Sequence, residues 1–127
     1  MDIARRWTEF VARRPEFQPG QRLLEQFEVG DVVRLCDCGC NSYEFKLREG
    51  SAVAPLTSPA ERGGCAFTLE FATAEEGKTV GVLVHVDAAG NLSGIDVDYC
   101  ANSFPMPESP KLIEPPFHVS GHMANAA

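Results

Sequence analysis

The sequence predicts one α+β domain, in which one or two N-terminal helices pack on one face of an antiparallel sheet, a meander of four to five strands. Two observations favour this class: apolar residues recur at helical spacing near the N-terminus, and further along they alternate with a period of two. A chain of 127 residues suits a single core. We expect one domain over residues 1–127, with a helical segment (1–28), the sheet (29–103) and a Pro-rich tail (104–127).

The first predicted helix extends from Asp2, its N-cap, to Arg14. Its apolar stripe consists of Ile3, Trp7, Phe10 and Val11. Pro15 and the Pro19–Gly20 pair end this helix, and a second short helix is predicted from Gln21 to Phe27. Both helices are expected to turn their apolar sides to the sheet.

Alternating apolar residues indicate the strands. The first is predicted as one long strand from Asp31 to Leu47, and three more cover Cys65 to Phe71, Val80 to Val86 and Ile95 to Tyr99. The Gly-containing segment 87–91 predicts a hairpin between the last two. From residue 104 onward five prolines exclude a helix or a central strand, so the tail is expected to run extended along the surface and to fray after His122.

Cys36, Cys38 and Cys40 lie within five residues inside the first predicted strand. In an uninterrupted strand their thiols share the polar side, whereas a bulge at Gly39 would turn some of them inward. Their one-residue gaps are shorter than the usual spacing of zinc ligands, so a zinc site needs other ligands. The candidates for those are Cys65, Cys100, His118 and His122. Packing of reduced thiols is our default, and a zinc site or a reactive thiol stays open.

Other residues that could carry chemistry are few. Asp96 and Asp98 share one side of the last strand and could bind a hard cation, and His85 could act as an acid or base. Each is also typical of the solvated side of a sheet. The sequence has neither a phosphate-binding glycine loop nor a nucleophile elbow. These observations favour a binding protein that is not an enzyme and needs no cofactor.

Acidic residues concentrate in the second half of the chain. Residues 1–50 hold eight Lys/Arg and nine Asp/Glu, whereas residues 51–127 hold three Lys/Arg and nine Asp/Glu, within a net charge of −7. This charge repels nucleic acid and attracts a basic protein, so we expect a basic protein partner and no nucleic acid. An acidic surface that only maintains solubility is the alternative.

The sequence shows no apolar segment of the kind found in signal peptides near its first residues. No stretch approaches the roughly 18 consecutive apolar residues that a membrane-spanning helix needs. We therefore expect a cytoplasmic protein without membrane contact, whose five cysteines are reduced.

Four segments resemble a group of small bacterial α+β proteins with a CGC-containing strand. They are Cys38–Tyr43, Val82–Val86, Gly90–Val97 and Pro105–Pro107. Proteins of this kind are similar to immunity proteins of polymorphic toxin systems, including contact-dependent growth inhibition. The resemblance implies that a small acidic protein neutralises a basic, nuclease-like toxin, and it assigns no catalytic residues.

We therefore expect a protein-interaction module, most specifically an immunity protein that covers the basic surface of a toxin domain. The candidate partner-binding residues are the acids around the sheet and its hairpins: Glu70, Glu75, Glu76, Asp87, Asp96 and Asp98. The alternative is a small zinc- or thiol-dependent protein centred on Cys36, Cys38 and Cys40.

The cysteine spacing predicts a reduced, metal-free protein, because one-residue gaps suit neither a disulfide nor a common zinc loop. Titration of the denatured protein with a thiol reagent is expected to find all five cysteines. Fewer free thiols, or one zinc ion per chain by elemental analysis, would contradict the packing interpretation.

Overall fold

The computed structural model describes residues 2–36, 40–100, 106–107 and 110–121. Within these residues the chain forms two helices and an antiparallel sheet of six strands. In chain order they are α1 (Ile3–Ala12), α2 (Gly20–Glu28), β1 (Gly30–Leu35), β2 (Tyr43–Leu47), β3 (Gly64–Ala72), β4 (Thr79–Val86), β5 (Leu92–Tyr99) and β6 (His118–Gly121). The predicted α+β class is confirmed, and the number of strands is corrected from four or five to six.

The strand order across the sheet is β1-β2-β5-β4-β3-β6. Strands β3, β4 and β5 form the predicted meander, but β2 joins it beside β5, and β6 returns to pair with β3. The sheet is therefore open, with β1 at one edge and β6 at the other. Gly90 closes the β4–β5 hairpin at φ +86°, a conformation that glycine adopts without steric conflict.

The single long strand predicted from Asp31 to Leu47 is wrong, because the chain reverses within it. Strands β1 and β2 pair with each other as a hairpin, in which Arg34 lies opposite Glu44 and Leu35 lies opposite Tyr43. Asn41, shortly before β2, adopts φ +69°, a left-handed conformation that asparagine tolerates. Cys38 lies outside the described residues.

The helices pack on one face of the sheet. The Asp2 side chain accepts a hydrogen bond from the Arg5 amide at 3.2 Å, so the predicted N-cap is confirmed. Trp7 and Val11 are buried, and Phe10 packs edge-on against Phe71 of β3. From α2, Phe27 stacks on Phe45 of β2, with ring centroids 5.4 Å apart. Aromatic packing thus joins both helices to the sheet.

The central strands bury every second side chain beneath the helices. The fully buried members of this face are Leu69 and Phe71 of β3, Val80, Val82 and Val84 of β4, and Ile95 and Val97 of β5. Their neighbours in sequence point to the opposite side, which we call the outer face. It carries Glu44, Thr68, Glu70, Leu83, His85, Asp96 and Asp98. No described element covers the outer face.

Gln26 is a polar member of the core that was not expected from the sequence. Its side-chain nitrogen donates to the Ala54 carbonyl at 2.8 Å and to Asn91 Oδ1 at 2.9 Å, while its oxygen accepts from the Leu92 amide at 2.7 Å. The buried amide is therefore satisfied on both sides. It ties α2 to the loop after β2 and to the β4–β5 hairpin.

The tail reaches the sheet through charged and backbone contacts. Arg14, at the end of α1, donates to Glu16 at 3.0 Å and to Glu114 at 2.6 Å, so the pKa values of both carboxyl groups are lowered. Beyond it β6 pairs with β3 as an edge strand of the sheet. The expected fraying after His122 concerns residues outside those described.

Replacing Trp7 with Ala is expected to lower the free energy of unfolding by about 3–5 kcal/mol, because it leaves a large cavity under α1. Urea unfolding followed by circular dichroism measures the change. Ile3→Ala is the matched control, since Ile3 lies on the same helix but is exposed, and its effect should be much smaller. Equal effects of the two substitutions would contradict the packing of α1 described above.

Candidate functional site

Three carboxylates lie on the outer face of the central strands. Glu70 of β3 and Asp98 of β5 flank Gly81 of β4, which has no side chain to separate them. Across two strand spacings the two backbones are roughly 10 Å apart. Asp96 lies one step along β5, opposite Leu83. The register thus brings together three of the six predicted acids.

Asp98 is half-buried between its neighbours. One carboxylate oxygen, Oδ1, is fully buried and has no hydrogen-bond partner within the described residues. A carboxylate oxygen accepts hydrogen bonds, so its burial without a donor is unfavourable for the fold.

Asp96 and His85 form a cross-strand ion-pair geometry on this face, in addition to the Arg34–Glu44 pair between β1 and β2. Asp96 Oδ2 lies 2.9 Å from His85 Nε2, and His85 lies directly opposite Cys65 of β3. The Cys65 thiol contacts the Thr68 hydroxyl at 3.5 Å and the Phe67 carbonyl at 3.7 Å. Both of these partners belong to β3, and neither is a base that could activate the thiol as a nucleophile.

The remaining predicted acids lie in turns. Glu75 and Glu76 are exposed in the β3–β4 turn, at the same end of the sheet as Glu70 and Asp98. Asp87 lies at the opposite end, where its Oδ1 accepts from the Ala89 and Asn91 amides at 3.0 Å each. Asp87 also borders a separate cleft of about 820 Å³ at the start of α2. Its position separates it from the other five acids.

A groove of about 400 Å³ runs along the outer face beside the carboxylates. One wall comes from the β1–β2 hairpin and the other from the central strands. The lining residues are Arg34, Cys36, Cys40, Ser42, Tyr43, Glu44, Leu83, Asp96, Val97 and Asp98. The groove is therefore lined by the Leu83 side chain, two thiols, the Arg34 guanidinium and carboxylates from both sides, and these carboxylates suit a side chain that ends in a positive charge.

Ser42 fixes the floor of the groove. Its hydroxyl accepts from the Val97 amide at 2.9 Å, contacts the Val97 carbonyl at 3.3 Å, and accepts from the Cys40 thiol at 3.3 Å. The side chain continues the pairing of β2 with β5 beyond the last backbone pair at Tyr43. Cys40 is buried through this contact, and Cys36 is half-buried.

The described cysteines are dispersed rather than gathered. Cys36 and Cys40 border the groove, Cys65 is exposed on β3, and Cys100 follows β5, where its thiol contacts the Thr79 carbonyl at 3.8 Å. Within the described part of the chain, no group of three His, Cys, Asp or Glu residues is arranged to hold a metal ion. The proposed ligands Cys38 and His122 lie outside it.

None of the helices in the described residues has the length and apolar character required to span a membrane.

Comparison of this chain with protein-family models, with curated proteins and with solved structures finds no match.

Replacing Ser42 with Ala is expected to lower the free energy of unfolding by about 1–3 kcal/mol, because the buried Val97 amide loses its acceptor. Thermal or urea unfolding measures the loss. Ser58→Ala, in an exposed loop, is the control and should change stability by less than about 0.5 kcal/mol. If Ser42→Ala matches that control, the hydroxyl does not hold the groove floor.

Proposed function

We propose that this protein is an interaction module whose outer face binds a basic protein, and that its specific role is that of an immunity protein for a toxin. The observation that carries the proposal is the set of Glu70, Asp96 and Asp98 on a sheet face that no described element covers. The groove beside these acids gives the face a shape as well as a charge, which a surface that only maintains solubility does not require.

The pairing of charges within the chain supports this proposal. Arginines of the first half are neutralised internally: Arg5 contacts Glu28 at 2.6 Å, Arg14 contacts Glu114 at 2.6 Å, and Arg48 contacts Asp31 at 3.0 Å. Glu70, Glu76 and Asp98 form no ion pair within the described residues. The outer face and its adjoining turn therefore hold these three carboxylates without an internal ion pair, and they can attract a basic surface.

The groove provides the anchor for such a partner. An arginine or lysine of the partner can lay its aliphatic stem along Leu83 and place its charged end at Asp96 and Asp98. A guanidinium or ammonium group placed there would pair with the Asp96 carboxylate, which is exposed. Arginine is a frequent hot-spot residue in protein interfaces, and desolvated charge pairs slow dissociation.

The mechanism is stoichiometric occlusion. Exposed acids accelerate the encounter with the basic surface of the toxin, and the groove contact sets the lifetime of the complex. Binding then excludes the toxin's own negatively charged substrate from that surface. No bond is made or broken by this protein in the process.

Replacing Asp96 and Asp98 with Asn is expected to slow association with a cognate basic toxin domain and to weaken binding, while the fold is kept. The reason is that the exposed Asp96 carboxylate steers encounters but contributes little to stability, and that the half-buried Asp98 has no hydrogen bond at Oδ1 to lose. Surface plasmon resonance at several salt concentrations measures both rates, and co-expression measures neutralisation. The double substitution Glu25→Gln and Glu61→Gln is the control, because it removes equal charge from exposed positions outside the strands.

The two parts of the proposal fail differently. At 1 M salt the Debye length is about 3 Å, so interactions between exposed charges are largely screened. If binding changes neither with salt nor with the Asp96→Asn/Asp98→Asn substitution, the outer face is not the binding surface. Binding without neutralisation of the toxin would overturn the immunity role and leave the interaction module.

A further inference from the structure

Strand β1 is an edge strand with an unusually exposed apolar sequence. Of its six residues only Gly30 is buried, and the exposed fractions of Val32, Val33 and Leu35 are 38%, 59% and 47%. Within the described residues β2 is its one neighbour, so the backbone groups on its other side have no strand to pair with. An edge of this kind is a template for another strand.

A bulge in β1 arranges its two charges. The register with β2 shifts between Val32 and Arg34, so that Val33 is the additional residue. Asp31 lies opposite Lys46 and Arg34 lies opposite Glu44. Because Glu44 and Lys46 share the outer face of β2, Asp31 and Arg34 also share that face. Without the bulge, residues three apart in a strand would point to opposite sides.

We propose that β1 pairs antiparallel with β1 of a second copy of this chain, around a two-fold axis at Val32. With the bulge on both strands, Asp31 of each copy lies opposite Arg34 of the other, and Gly30 lies opposite Leu35. The pairing is self-complementary, as an interface between two identical subunits must be. It joins the two sheets into one and covers the exposed apolar edge.

Charge complementarity identifies the second copy as the occupant. Across the four joined strands, four side chains on the outer face form a row of alternating charge. The row consists of Lys46 and Asp31 of one copy, followed by Arg34 and Glu44 of the second copy, and it occurs twice by symmetry. The existing contacts, Arg48 with Asp31 at 3.0 Å and Arg34 with Glu44 at 3.4 Å, are exposed and can extend into this row. Opposite charges in directly facing positions stabilise strand pairing, and like charges oppose it.

The test reverses the charge of Asp31 in one variant and the charge of Arg34 in a second variant. Asp31→Arg places Arg opposite Arg, and Arg34→Asp places Asp opposite Asp, so each variant alone is expected to raise the dimer dissociation constant by about tenfold or more. When the two variants are mixed, both facing pairs become Arg–Asp, and a heterodimer is expected. Sedimentation velocity over a concentration series measures the wild type, each variant and the mixture.

The controls carry the same charge changes away from the edge. Glu25→Arg and Arg62→Asp alter exposed residues of α2 and of the loop before β3, and both are expected to dimerise like the wild type. Circular dichroism verifies folding. If the reversals do not fold, the neutral variants Asp31→Asn and Arg34→Gln replace them, with a smaller loss of dimer expected.

Three outcomes would overturn the proposal. A wild-type protein that stays monomeric at all concentrations would show that the bulge blunts the edge. Dimers that persist in both single variants would place the interface elsewhere. Single variants that fail to dimerise and also fail in the mixture would exclude the Asp31–Arg34 pairing. The inference does not depend on the proposed function.

Discussion

The structure depends on the burial of one side of the sheet only. Val80, Val82 and Val84 lie fully buried under helices of ten and nine residues, and no described element covers the other side. Side chains alternate along a strand, so when one residue points into the core its neighbour in sequence points to the outer face. The register that buries Val97 therefore also presents Asp96 and Asp98. The core and the proposed interface arise from the same alternation.

Local sequence patterns predicted the helices and the central strands. They did not predict which strands pair when those strands are far apart in the sequence. The helical stripe around Trp7 and the alternation of β3, β4 and β5 repeat within one segment, so the sequence displays them. The placement of β2 beside β5 and of β6 beside β3 depends on contacts that no local period encodes. The reversal between Leu35 and Tyr43 stayed hidden because both residues continue the same alternation.

The sequence identified the acidic residues of the candidate site, but it did not show which of them lie next to each other in the sheet. That Glu70 and Asp98 face each other across Gly81 follows from the register of three strands, which alternation alone does not give. Ser42 and Gln26 belong to residue types that usually lie on the surface, so their structural roles had no signal in the sequence. Asp87 did have one: an aspartate before a glycine-containing turn often accepts hydrogen bonds from the backbone that follows it.

The outer face and the β1 edge are linked through Arg34. This residue lines the groove, contacts Glu44 at 3.4 Å, and faces Asp31 of the second copy in the proposed dimer. In that dimer Arg34 would divide its guanidinium between Glu44 and the second copy's Asp31, which would leave Glu44 freer to bind a basic side chain in the groove. Conversely, a basic side chain that binds Glu44 releases Arg34 toward the second copy. Binding and dimerisation would then strengthen each other by the same factor, as linkage between two sites requires.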